Sequence, residues 1–132
     1  MNEQKVAFFI DDDPNFLEVL PDVVRHPHFK IQTYCATNGY RTIDEVIKAR
    51  PDVLFIDFYL PRASGGQILP ILKSVHGLAD LPVYILTGFS KEEILPFLEG
   101  ADYNGILSKD DSLIVEILRI LTQIDHNEVD SS

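Results

Sequence analysis

Pro51-Asp-Val-Leu-Phe-Ile-Asp57-Phe-Tyr-Leu-Pro61 contains an unbroken apolar run, Val53–Ile56, that ends on a carboxylate. A short run without polar alternation suits a strand covered on both faces, as in the interior of a parallel sheet. Ligands of such sheets bind beyond the carboxyl ends of the strands, so Asp57 stands where chemistry is expected. Working outward, Val6-Ala-Phe-Phe-Ile10 runs into Asp11, Asp12 and Asp13, and Val83-Tyr-Ile-Leu86 runs into Thr87. Ile31–Cys35 and the weaker Gly105-Ile-Leu107, followed by Ser108 and Lys109, complete five strand segments.

Between these runs Asn15–Arg25, Gly39–Arg50, Gln67–Ser74, Glu92–Glu99 and Ser112–Asp125 read as helices. Ile43, Val46 and Ile47 give the second one apolar face. Leu113, Ile114, Ile117, Ile120, Leu121 and Ile124 do the same for the last. Five strand–helix units predict a small doubly wound α/β domain over residues 1–126, with 127–132 as a flexible polar tail. Pro21, Pro70 and Pro96 fall away from helix starts, where a proline removes a donor and crowds the preceding turn. A kink or break is expected near Pro21. Ser90-Lys-Glu-Glu93 has the form of a capping box, so the fourth helix should begin there and be cut short by Pro96.

The 132 residues fit one domain. Eleven basic against twenty-one acidic side chains give a formal net charge of −10. That balance opposes binding to nucleic acid or to an anionic membrane surface, both of which want clustered Lys and Arg. It suits a divalent cation, a basic partner surface or simple solubility. A single cysteine, Cys35, excludes an internal disulfide, and no apolar run approaches membrane-spanning length. A reducing compartment, the cytoplasm, is the expected location.

The strand ends bring Asp11, Asp12, Asp13, Asp57, Thr87 and Lys109 to one side of the sheet. Close carboxylates repel by roughly 1–4 kcal/mol per pair, and a hard divalent cation removes that penalty. Lys109 suits a phosphoryl group as a point charge and Thr87 as a hydrogen-bond donor. The residues alone therefore predict a Mg²⁺-dependent phosphoryl site with an aspartate as nucleophile or ligand.

At these positions the chain resembles the receiver domain of two-component response regulators. The resemblance rests on Ile10-Asp-Asp-Asp-Pro14, on Pro51–Pro61 followed by Gly65, on Pro82-Val-Tyr-Ile-Leu-Thr87-Gly88 and on Leu107-Ser-Lys109. Asn38-Gly39 fits the opening of the family's second helix. The resemblance implies a flavodoxin-like sheet in the order 2-1-3-4-5. It implies Asp57 as phosphoacceptor, with Thr87 and Lys109 on the phosphoryl oxygens. Mg²⁺ would be held by Asp12 directly, by Asp11 through water, by Asp57 and by the Tyr59 backbone carbonyl. It further implies a histidine kinase or phosphotransfer protein as donor, a downstream protein partner, and a signalling switch rather than turnover of a separate substrate. No output domain follows in these residues, so the chain is expected to act through protein contacts or to derive from a longer regulator.

Two departures stand out. Ile106 occupies the place of the family's switching aromatic, and Asp110 that of the proline after the lysine. The Lys109–Asp110 bond should therefore be trans. Tyr59 and Phe89, each two residues beyond a site residue, are expected to shield a phosphoaspartate from water. Asp13 before Pro14 suits a helix cap, as does Asp110-Asp111-Ser112. Cys35 reads as a small buried hydrophobe, and the four histidines have no metal-ligand spacing. Val115 and Leu118 lie off the last helix's main apolar stripe and are candidates for a homodimer or partner surface. Two other functions compete. A haloacid-dehalogenase-type phosphatase would use Asp11 and Asp13 as its Asp-x-Asp, and a degenerate receiver would bind a partner without phosphorylation.

Overall fold

The computed structural model describes residues 4–130. In chain order its elements are β1 (Lys5–Asp11), α1 (Pro14–Val23), β2 (Phe29–Cys35), α2 (Arg41–Ala49), β3 (Val53–Asp57), the short strands β4 (Tyr59–Leu60) and β5 (Ala63–Ser64), α3 (Gly65–Ser74), β6 (Val83–Thr87), α4 (Lys91–Ile94), a 3₁₀ turn (Leu95–Leu98), β7 (Gly105–Ser108) and α5 (Leu113–Asp130). The large sheet is ordered β2-β1-β3-β6-β7, and β4-β5 is a separate ribbon. Counting only strands of the large sheet, this is 2-1-3-4-5, every pair parallel. That is the flavodoxin-like order.

Period-two alternation divides the core between the faces of the sheet. Phe8, Ile10, Leu54, Ile56, Val83 and Ile85 join Val46, Ile68, Leu69, Leu72, Ile94 and Leu98. Ala7, Phe9, Val53, Phe55 and Leu86 join Leu17, Leu20, Leu113, Ile117, Ile120 and Leu121 on the other face. There Phe9 stacks on Phe55 with centroids 4.5 Å apart, and Phe55 stacks on Tyr84 at 5.5 Å. Interior strands are buried on both sides, which is why their sequence shows continuous apolar runs.

Helix ends follow local chemistry. Asp13 caps α1 by accepting from the Asn15 N–H, with Pro14 in the first turn. Ser64 and Gln67 form a reciprocal capping box on α3. Ser90 accepts from the Glu93 N–H, as expected, and α4 then stops at Ile94, with Pro96 inside the 3₁₀ turn. Asp110 accepts from the Ser112 N–H and hydroxyl just before α5.

Three expectations are corrected. α1 is not broken at Pro21 but runs through it, ending at Val23 rather than Arg25. Pro21 has no N–H to give the Leu17 carbonyl, and burial of Leu17 and Leu20 in the core holds the helix through that missing bond. Cys35 is exposed, not buried, because it closes the edge strand β2. Of the expected tail at 127–132, residues 127–130 continue α5 and the last two lie outside the described residues. No cis peptide bond occurs among the described residues, so Lys109–Asp110 is trans. Among the described residues no helix is long and apolar enough to cross a membrane.

At the far end of the sheet, Asp125 of α5 accepts from Lys5 Nζ at 3.0 Å and meets His28 Nδ1 at 2.7 Å. The hydrogen bond from His28, then that from Lys5, holds its carboxyl down at about 2. This clasp ties the end of α5 to the starts of β1 and β2.

Candidate functional site

The parallel register puts the ends of β1, β3, β6 and β7 side by side: Ile10 pairs Ile56, Asp57 pairs Leu86, and Thr87 pairs Ser108. Asp11, Asp12 and Asp57 each bring a carboxylate oxygen within 4.8 Å of the others. Asp11 and Asp57 are buried, whereas Asp12 is exposed.

Asp11 Oδ1 accepts from the Asp13 N–H at 3.0 Å. Its Oδ2 makes no hydrogen bond of normal geometry, yet Lys109 Nζ lies 2.5 Å away as an ion-pair partner. Lys109 also donates to Asp57 Oδ2 at 3.3 Å, and the Tyr59 N–H donates to Asp57 Oδ1 at 3.4 Å. One ammonium thus bridges two buried carboxylates, with a third acid at the rim.

The electrostatics follow from that crowding. Burial first, then the Asp11 charge, pushes the Asp57 carboxyl up to about 6, although Lys109 and the Tyr59 N–H pull it down. Desolvation and the Asp11 side chain raise Asp12. Desolvation lowers Lys109, but close contact with the Asp11 carboxylate and the charge of Asp57 outweigh it, and its pKa is raised. The three-oxygen donor set, with Asp11 Oδ2 offset only by the Lys109 ammonium, fits a hard divalent cation.

Thr87 is buried at the end of β6, and its Oγ1 accepts from the Phe89 N–H at 2.9 Å. The hydroxyl is therefore engaged within its own turn. Tyr59 and Phe89, each two residues beyond a site residue, meet edge to face with centroids 5.1 Å apart, both about half exposed. Ile106 is half-buried against the core. Asp13 is spent on the α1 cap, which removes the second acid that the Asp-x-Asp phosphatase alternative requires.

One residue escaped the sequence reading. Phe16 of α1 places its ring 4.8 Å from Lys109 Nζ. Its position one turn beyond the acidic strand end was the only available signal.

A family model described as the response regulator receiver domain matches residues 7–122. Among curated proteins, the chain is 28% identical over 86 residues to Protein Rrf1 of Nitratidesulfovibrio vulgaris, covering 65% of this chain and 61% of Rrf1. It is 36% identical over 99 residues to the transcriptional regulatory protein BtsR of Salmonella typhi, covering 74% of this chain and 40% of BtsR. It is 28% identical over 95 residues to sporulation initiation phosphotransferase F of Bacillus subtilis, covering 72% of each. The matches thus span less than two thirds of Rrf1 and of BtsR. Among solved structures, Vibrio cholerae chemotaxis protein CheY4 superposes with a TM-score of 0.77 at 17% identity, covering 92% of this chain and 99% of CheY4. The receiver domain of sensor histidine kinase PA1611 from Pseudomonas aeruginosa, which has a magnesium ion coordinated in its active site cleft, gives 0.77 at 18% identity, covering 92% and 97%. Those two likenesses concern the fold. The family match over most of the chain goes further: this protein belongs to the response regulator receiver domains, switches of phosphorylation-based two-component signalling.

Proposed function

We propose that Asp57 accepts a phosphoryl group from a phosphohistidine on a histidine kinase or phosphotransfer protein, and that the product signals through protein contacts. The observation that carries this reading is the Lys109 ammonium bridging Asp11 and Asp57 within a three-carboxylate cluster. With its carboxyl at about 6, Asp57 is mostly ionised at neutral pH and so available as a nucleophile. Its oxygen forms the new P–O bond while the donor's N–P bond breaks. The imidazole leaves with the electron pair and takes a proton from solvent.

Asp11, Asp12 and Asp57, with the Tyr59 carbonyl, would hold Mg²⁺. When bound, that ion neutralises charge on the transferring group and screens the carboxylates from one another. Lys109 supplies the protein's own positive charge to the phosphoryl oxygens. The Thr87 hydroxyl, which donates to the Phe89 carbonyl at 3.4 Å, turns to donate to the same group, which couples the site to the Phe89–Ser90 turn that starts α4. The phosphate adds about −1.5 to −2 charge at neutral pH, a large local perturbation on which a neighbouring loop can act. Val115, exposed on α5, and half-buried Leu118 offer a surface for a second copy or a downstream partner.

Incubation with Mg²⁺ and a small acyl-phosphate donor, followed by intact-mass measurement, tests the reading. Wild type should gain one phosphate, Asp57→Asn none, and Asp11→Asn far less. A wild-type chain that stays unmodified, or an Asp57→Asn chain that gains the same phosphate, would overturn it.

A further inference from the structure

Lys109 has three close partners. Two are carboxylate oxygens, Asp11 Oδ2 at 2.5 Å and Asp57 Oδ2 at 3.3 Å. The third is the ring of Phe16, whose centroid lies 4.8 Å from Nζ. Phe16 is half-buried against the α1–α5 side of the core, so its ring is held in place rather than free to wander. The lysine side chain is itself only 22% exposed.

These partners are not equivalent. A hard cation competes for carboxylate oxygens but has little use for an aromatic face. Once those oxygens are committed to a cation and to the phosphoryl group, Lys109 loses both of its anionic anchors. A desolvated ammonium is still attracted to the negative face of a ring. An aliphatic side chain of similar size offers no such attraction.

We propose that Phe16 is a positioning residue. Its ring keeps the Lys109 ammonium at the mouth of the site while the carboxylates change partners, so that the lysine meets the incoming phosphoryl oxygens. This rests on Asp57 being the phosphoacceptor. The attraction of a ring is weaker than that of an ion pair, so the lysine can be passed on to the phosphoryl group rather than trapped.

Three measurements on the full chain test the role. In the unphosphorylated protein, the Lys109 ε-methylene proton resonances, assigned through Lys109→Arg, should show an upfield ring-current shift. That shift should vanish in Phe16→Leu and persist in Phe16→Tyr. With Mg²⁺ and a small acyl-phosphate donor, Phe16→Leu should slow phosphorylation by about threefold to tenfold, and Phe16→Tyr should restore it. In a Lys109→Ala background, Phe16→Leu should change the residual rate no further, because the partner it acts through is gone. Phe16→Met serves the same purpose should Phe16→Leu not fold.

A Phe16→Leu protein phosphorylated at the wild-type rate would overturn this role and leave the Asp57 reading intact. So would a slowing that persists undiminished without Lys109, since that marks a merely structural defect. A wild-type chain that takes up no phosphate overturns both.

Discussion

Replacing Asp57 by Asn in metal-free protein is expected to stabilise the fold at neutral pH and to have little effect in acid. Asp57 is buried beside Asp11, with one ammonium shared between them, and its carboxyl is pushed from 3.8 up to about 6. The native state then holds the proton more tightly than the unfolded chain. The stability this group contributes is complete below pH 4 and is lost as pH rises through about 6. At 1.36 kcal/mol per unit, the displacement corresponds to about 3 kcal/mol at pH 7. Part of that is returned because the substituted amide would lose the ion pair with Lys109 and because the side chain keeps some solvent contact. A net gain of about 1–2 kcal/mol remains, equivalent to about 5 °C in Tm for a chain of this size. Urea unfolding of both proteins in EDTA at pH 7 and pH 4 checks it. Lys109 keeps Asp11 as a partner in the variant, so no buried cation is stranded. Equal stabilities at pH 7, or a gap of the same size at pH 4, would refute the reasoning.

If the paired Tyr59 and Phe89 rings shield Asp57 from water, Tyr59→Asn and Phe89→Ala should each hasten hydrolysis of the phosphoaspartate several-fold. Radiolabel or mass-based decay curves decide it, and fast decay in wild type, unchanged by Tyr59→Asn, would sink the idea. A Cβ at Gly66 would collide with the Phe97 carbonyl oxygen, whereas one at Gly65 finds nothing nearer than 3.5 Å. Gly66→Ala should therefore lose about 1–3 kcal/mol in chemical unfolding while Gly65→Ala is tolerated, and equal stabilities would count against that contact. Asp125, held at about 2, supports the fold above pH 4 and loses that support as pH falls toward 2. Asp125→Asn should lower Tm at pH 7 and flatten its decline between pH 4 and 2; parallel curves would exclude the clasp as the cause.

The interior strands and the gathering of polar groups at their ends were legible because one physical pattern marks both. A strand buried on two faces tolerates no polar residue until it leaves the core, so Asp11, Asp57 and Thr87 announce themselves as the first polar groups after apolar runs. Capping by Asp13, Ser90 and Asp110 was legible for a similar reason, since each acts within a few residues of itself. What escaped were partners joined only by topology. Lys5 and Asp125 are 120 residues apart in sequence, and nothing local to either suggests the other. Phe16 reads as an ordinary apolar helix residue until β7 is placed beside β6 and brings Lys109 over its ring. Cys35 was misread because it was judged by residue type, although the expected strand order already put its strand at the sheet edge.

Pro96 leaves α4 with four residues, too few for a helix to sustain itself in water. The stretch from Lys91 to Leu98 is therefore ordered by what it touches: Ile94 and Leu98 in the core, and the Phe97 backbone on Gly66. In the language of local unfolding, it is a unit whose opening free energy is set by a handful of anchors rather than by a ladder of its own. Such a unit responds to small inputs. A change of a few kcal/mol at Thr87, transmitted through the turn at Phe89, weighs heavily against so few contacts. A full-length helix there would absorb the same input with little change in its population.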